Sequence, residues 1–125
     1  MNAEKHIRYW RTGSDEDWEM AEIALEKGKI RHGLFFLHLA MEKLIKAHVF
    51  RVTGDPPPKI HNLLTLMQRA KLPVDQKTGE CLSELNTHCL EGRYADEVAP
   101  PPSPQRAEKI MQQAQEIRTW LLNLL

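Results

Sequence analysis

The 125 residues are enough for one domain with a core of its own and too few for two. A 42% hydrophobic content with 27% charged residues excludes a chain too polar to fold. Seventeen basic and seventeen acidic side chains cancel, which excludes a global field steering the molecule onto nucleic acid or an anionic membrane and leaves only local contacts with polyanions.

Ile7, Trp10, Trp18, Ala21 and Leu25 keep a mostly 3.6-residue rhythm, predicting a first helix over about residues 3 to 27. Gly13-Ser14 is its weak joint. Ser14 followed by Asp15, Glu16 and Asp17 also reads as a cap for a later start, and the continuous helix is the preferred reading. Gly28 supplies the stop. From Ile30 to Val52 apolar residues crowd more than one face, among them Leu34, Leu37, Met41, Leu44, Ile45 and Val49. A helix apolar on two sides is packed on two sides, so the second helix is expected at the centre. Gly54-Asp55-Pro56-Pro57-Pro58 ends it, because proline lacks the amide donor and biases its predecessor away from helix.

A short third helix is predicted over about Asn62 to Ala70, and Pro73 separates it from a fourth, about Asp75 to Glu91. The fourth carries the stripe Leu82, Leu85 and Cys89, with Gly92 as its left-handed stop. Arg93 to Pro102 reads as extended and exposed. Ser103-Pro104 pairs a cap side chain with proline at the first helical position. The last helix then runs to the terminus along a seam of Ala107, Ile110, Ala114, Ile117, Leu121 and Leu124. No strand-like alternation or internal repeat occurs. The expected fold is all-α, an up-and-down bundle of four main helices plus one short helix, forming a single domain over residues 1–125.

Cys81 and Cys89, read on one helix, stand about 12 Å apart, beyond disulfide reach. Met1 to Arg11 carries no export signal, and no apolar run approaches membrane-spanning length. Free thiols and the lack of a signal point to the cytoplasm, away from the membrane.

His38 and Glu42 share a helix face at i and i+4, but two ligands do not make a metal site and no repeated Glu-x-x-His occurs. Neither a metal nor a cofactor is expected. The glycine-rich phosphate cradles and the nucleophile elbow are absent, and mid-helix cysteines beside apolar neighbours read as packing. Lys43, Lys46, Arg51 and Lys59 form a local basic run opposed by Glu42 and Asp55, a solvated face or an anion site. Arg93-Tyr94, just past the fourth helix, is poorly placed for core packing and well placed to fork onto phosphate. His88, five residues earlier, is a candidate proton carrier beside it.

Trp10, Asp17 and Ala21 in the first helix, the block from Phe36 to Ala47 with its Ala-x-Glu-Lys-x-x-Lys-Ala, His61-Asn62-Leu63, Arg93-Tyr94, and Ala107 with Ala114 follow one another with the gaps of a known family. In these residues the chain resembles the HEPN family, named for higher eukaryotes and prokaryotes nucleotide-binding. It departs from the family pattern at His38 and Leu39, where relatives often carry glutamines. The resemblance implies a helical bundle that commonly forms homodimers, is often encoded beside or fused to a minimal nucleotidyltransferase, and serves in toxin–antitoxin and defence systems. Many relatives are metal-independent ribonucleases with an Arg-x(4–6)-His signature. Arg93 has no histidine after it, His88 precedes it in reverse order, and Arg31 with His38 has the spacing but in the wrong helix.

The expected function is therefore a dimeric module that binds a nucleotide or RNA end, or docks a nucleotidyltransferase. Its binding residues would be Arg93, Tyr94, His61 and the Lys43/Lys46 region. The enzyme-class alternative is a metal-independent endoribonuclease in which Arg93 holds the phosphate and His88 or His61 carries the proton. A bare scaffold is the third reading. Composition adds its own argument for a dimer, since the second helix is apolar on more sides than its neighbours easily cover and Trp18, Phe35 and Phe36 supply interface-type aromatic area.

Overall fold

The computed structural model describes residues 2–89 and 100–125. Among them are five helices and no strand: α1 (Ala3–Glu26), α2 (Ile30–Thr53), α3 (Leu63–Arg69), α4 (Gln76–Asn86) and α5 (Pro104–Leu124). Local signals set most of these boundaries. Asn2, Asn62, Asp75 and Ser103 each accept a backbone amide hydrogen bond at the start of a helix. Gly28 and Gly54 take positive φ at the ends of α1 and α2 (76° and 74°), a conformation that costs glycine nothing.

α1 runs unbroken through Gly13-Ser14. Ser14 does not cap a later start: its hydroxyl is buried and donates to the Ala40 carbonyl of α2 at 2.6 Å. The three residues between α1 and α2 turn the chain back on itself, and Gly33 lets the pair close, since a Cβ there would lie 2.6 Å from Leu25 Cγ.

α2 touches every other helix. Leu34, Leu37, Met41, Leu44, Ile45 and Phe50 are fully buried around it, so it is the central rod its two-sided apolar pattern predicts. A main core gathers α2 with Trp18, Leu66, Leu82, Leu85, Ile110 and Leu121, and a smaller cluster of Ile7, Ala47 and Phe50 closes the end near Trp10 and Leu125. His48 of α2 bonds the Leu121 carbonyl at 2.9 Å, satisfying one of the carbonyls left open in the last turn of α5.

Three expectations change. α4 stops at Asn86, where the Thr87 hydroxyl bonds the Glu84 carbonyl at 2.7 Å and the His88 amide closes a three-residue turn on Leu85. Cys89 is thus buried beyond the helix, and Cys81 joins Leu82 and Leu85 on the inner face. Leu124 is half exposed, so the α5 seam ends at Leu121. Trp18 is in the core rather than at an interface, with the Arg118 guanidinium 4.7 Å from its ring centroid. Phe35 and Phe36 are half-buried, their rings 5.7 Å apart. The expected stop at Gly92 and most of the extended stretch after it lie outside the described residues.

Candidate functional site

His38, Glu42 and Lys46 recur every four residues, so they share one face of α2. The chain entering α3 brings His61 and Asn62 to that face, and the end of α4 brings Asn86. Glu42 Oε2 accepts from Lys46 Nζ at 2.8 Å, and His61 Nδ1 lies 3.2 Å from each Glu42 oxygen. His38 Nδ1 is 3.7 Å from Glu42 Oε1. Asn86 Oδ1 accepts the Leu63 amide at 3.0 Å and faces His38 Nε2 at 3.3 Å, while Asn86 Nδ2 donates to Asn62 Oδ1 at 3.0 Å. Asn62 Oδ1 in turn caps α3 through Leu64 and Thr65.

His38, Glu42 and Lys46 are buried, whereas the His61 side chain is 41% exposed. The cluster therefore opens to solvent at His61. A carboxylate can only accept, so Glu42 sets the proton on His61 Nδ1 and directs Nε2 away from itself. An imidazole held in one tautomer by a carboxylate can take up or deliver a proton at that second nitrogen.

Burial pushes the His38 pKa below its ordinary value, against the opposing pull of Glu42. Neutral His38 donates from Nε2 to the Asn86 amide oxygen.

The two site lysines are not open charges. Lys46 is locked to Glu42, with its ammonium 5.5 Å from the Trp10 ring centroid of α1. Lys43 pairs with Asp17 at 2.7 Å, and its stem crosses α1 at Gly13, where a Cβ would come within 3.1 Å of Lys43 Cδ. His88 is buried just beyond α4, its pKa lowered by burial and partly restored by Glu84. Among the described residues it shares no hydrogen bond or ion pair with the Glu42 cluster. Arg93 and Tyr94 lie outside the described residues. Sequence reading missed Asn86, Asn62 and Trp10 as members. Asn62 reads in the sequence only as the start of the third helix and as part of His61-Asn62-Leu63, and nothing local marks an asparagine at the end of α4 as the joint between three helices.

Among the described residues, no three His, Cys, Asp or Glu side chains are grouped to hold a metal ion, and no helix is long and apolar enough to cross a membrane.

A family model described as the HEPN domain matches residues 7–124. The crystal structure of TT1696 from Thermus thermophilus is similar at 22% identity and a TM-score of 0.78, covering 96% of this chain and 98% of that one. A likeness at that identity speaks for the fold alone. None of the curated proteins matches.

Proposed function

The chain belongs to the HEPN domain family, and we propose that it is a nucleotide- or RNA-associated module whose ligand meets it at the His61 rim of the Glu42 cluster, with Arg93 and Tyr94 as phosphate and base contacts. The observation that carries this reading is the Glu42–His61 pair, a buried carboxylate orienting an imidazole that reaches solvent. Lys43 and Lys46 serve it indirectly, one bracing α1 against α2 and the other balancing Glu42.

The finer reading is a homodimer working beside a minimal nucleotidyltransferase in a toxin–antitoxin or defence setting, with chemistry supplied by the partner. It is supported by the family and by an arginine without a following histidine. Calorimetric titration with ATP and with a short RNA, repeated on Arg93→Glu and His61→Ala, tests the binding module. Loss of affinity in both variants is expected, and affinity unchanged in both rejects the site. Sedimentation showing only a 14.5 kDa species at micromolar concentration rejects the dimer.

His61 favours one second reading, a metal-independent endoribonuclease. There the imidazole removes the proton of a ribose 2′-hydroxyl, whose oxygen attacks the adjacent phosphorus while the 5′-oxygen leaves, with Arg93 on the phosphate. His88, buried and sharing no hydrogen bond or ion pair with the cluster among the described residues, is the weaker candidate for the proton. Incubation with RNA in chelator distinguishes the readings: 2′,3′-cyclic phosphate ends that vanish in His61→Ala and Arg93→Ala support the enzyme, and intact RNA supports the binding module.

A further inference from the structure

The Trp10 ring under Lys46 also lines a second feature, a groove of about 380 Å³ along the first half of α1. Lys5, Arg8, Tyr9, Thr12 and Glu16 follow one another at helical spacing down the groove, and Lys43 joins them from α2.

The charges of α1 run against its own dipole. Lys5, Arg8 and Arg11 occupy the first turns, whereas Asp15, Glu16, Asp17, Glu19, Glu22 and Glu26 fill the rest. A helix is stabilised by the reverse arrangement. Glu4 is the only carboxylate before Asp15, and it lies 3.7 Å from Arg51. Helix stability therefore does not account for these cations, and ion pairing with the described residues does not either. Among the described residues, no carboxylate lies within ion-pair distance of Lys5, Arg8 or Arg11, whereas Lys43 is neutralised by Asp17.

Tyr9 is 70% exposed, more than any other large hydrophobic residue described. Its ring meets Trp10 nearly at right angles, with centroids 5.5 Å apart, so it is braced on one side and in water elsewhere. A braced, solvent-facing aromatic flanked by cations that no described carboxylate pairs is the combination that holds single strands, with bases on rings and phosphates on cations. A duplex keeps its base faces stacked and has no use for such a ring.

We propose that this groove binds single-stranded nucleic acid, with a base stacked on Tyr9 and phosphates held by Lys5 and Arg8. The proposal deepens and rests on the nucleotide- or RNA-associated reading above, and it places the strand on α1 beside the helix that carries Glu42.

Fluorescence anisotropy with a labelled single-stranded RNA of about 12 nucleotides, a length within the range of single-strand sites, tests it. Tyr9→Ala should weaken binding about tenfold, while Tyr9→Phe, which keeps the ring, should stay within about twofold of the unchanged protein. Lys5→Glu/Arg8→Glu should also weaken binding and flatten the log–log salt dependence by about 1.4, two phosphate contacts' worth. All three substituted positions are on the solvent face of α1, and circular dichroism verifies that the variants stay folded.

RNA bound by the unchanged protein and equally by Tyr9→Ala and the charge-reversed variant overturns the groove and leaves the function to another surface. No RNA binding at low salt, with ATP still bound in an Arg93-dependent way, overturns the groove and keeps the nucleotide module. Duplex bound as tightly as single strand removes the stacking role and with it the proposal.

Discussion

His61 Nδ1 sits 3.2 Å from both oxygens of Glu42, a carboxylate that also holds Lys46 at 2.8 Å inside the fold. Glu42 is thus shared between a group that reaches solvent and an ammonium that does not. Glu42→Ala should cost about 3–5 kcal/mol, because Lys46 keeps its charge in a buried place with no counter-ion. Adding Lys46→Met, which removes that charge and keeps the stem's volume, should recover most of the loss. Urea unfolding of the two single variants and the double variant gives the coupling. Strictly additive costs would mean that the pair is not a unit.

Stability should fall on acidification below about pH 6.5. Burial lowers the pKa of His38, His48 and His88 from the ordinary 6.5. Well above 6.5 all three are neutral in both the folded and unfolded chains and contribute no slope. As pH drops, the unfolded chain takes up protons first, so unfolding is favoured until the folded-state values are passed. The melting temperature should hold level between about pH 7 and 8 and decline from about 6.5 downward. His48→Gln, whose amide can still donate to the Leu121 carbonyl, should make the decline shallower. A flat profile to pH 5 would contradict the burial of these rings.

The helices were legible because their limits are local. Gly28, Gly54 and Ser103-Pro104 announce themselves within a few residues, and the two-sided apolar pattern of α2 placed it at the centre. The site was not legible because its bonds join residues far apart in the chain. His38 reaches Asn86 across 48 positions, and Asn62 and Asn86 meet across 24. The partners of the basic run at Lys43 and Lys46 were only partly legible for a related reason: Asp17, which pairs with Lys43, arrives from another helix, whereas Glu42, which already opposes the run in the sequence, is the buried counter-ion of Lys46. Trp18 reads as interface aromatic area until α5 lays Arg118 across it.

Two helical glycines should respond oppositely to alanine. Replacing glycine inside a helix gains about 1 kcal/mol of propensity, so the sign depends on what the new methyl meets. At Gly13 it meets Lys43 Cδ at 3.1 Å, the stem of a long side chain that can shift by a few tenths of an ångström. Gly13→Ala should therefore be neutral or stabilising. At Gly33 it meets Leu25 Cγ and Cδ2 at 2.6 Å and the Leu25 amide nitrogen at 3.3 Å, so the helix pair itself must separate. Overpacking of this kind costs about 1–3 kcal/mol, which outweighs the propensity gain. Thermal melts of the two variants check the contrast, and Leu25→Ala should relieve Gly33→Ala.

Asn86→Asp separates the electrostatic part of the cluster from its architecture. The aspartate keeps an oxygen for the Leu63 amide, and a negative charge at the start of α3 suits that helix's dipole, so the fold should persist. What changes is the surroundings of His38. Its Nε2, now 3.3 Å from a neutral amide oxygen, would face a carboxylate that favours the protonated ring. His38 is held below the ordinary range mainly by burial, with Glu42 already pulling the other way. The substitution should therefore raise its pKa, and an NMR titration of the His38 ring reads the shift directly. The new carboxylate also puts a second oxygen against Asn62 Oδ1, where the amide had donated, so faster hydrogen exchange at Leu64 and Thr65 should accompany it. An unmoved His38 titration would mean that Asn86 and His38 are not in contact, and the link from α4 through α3 to the His61 rim would fail with it.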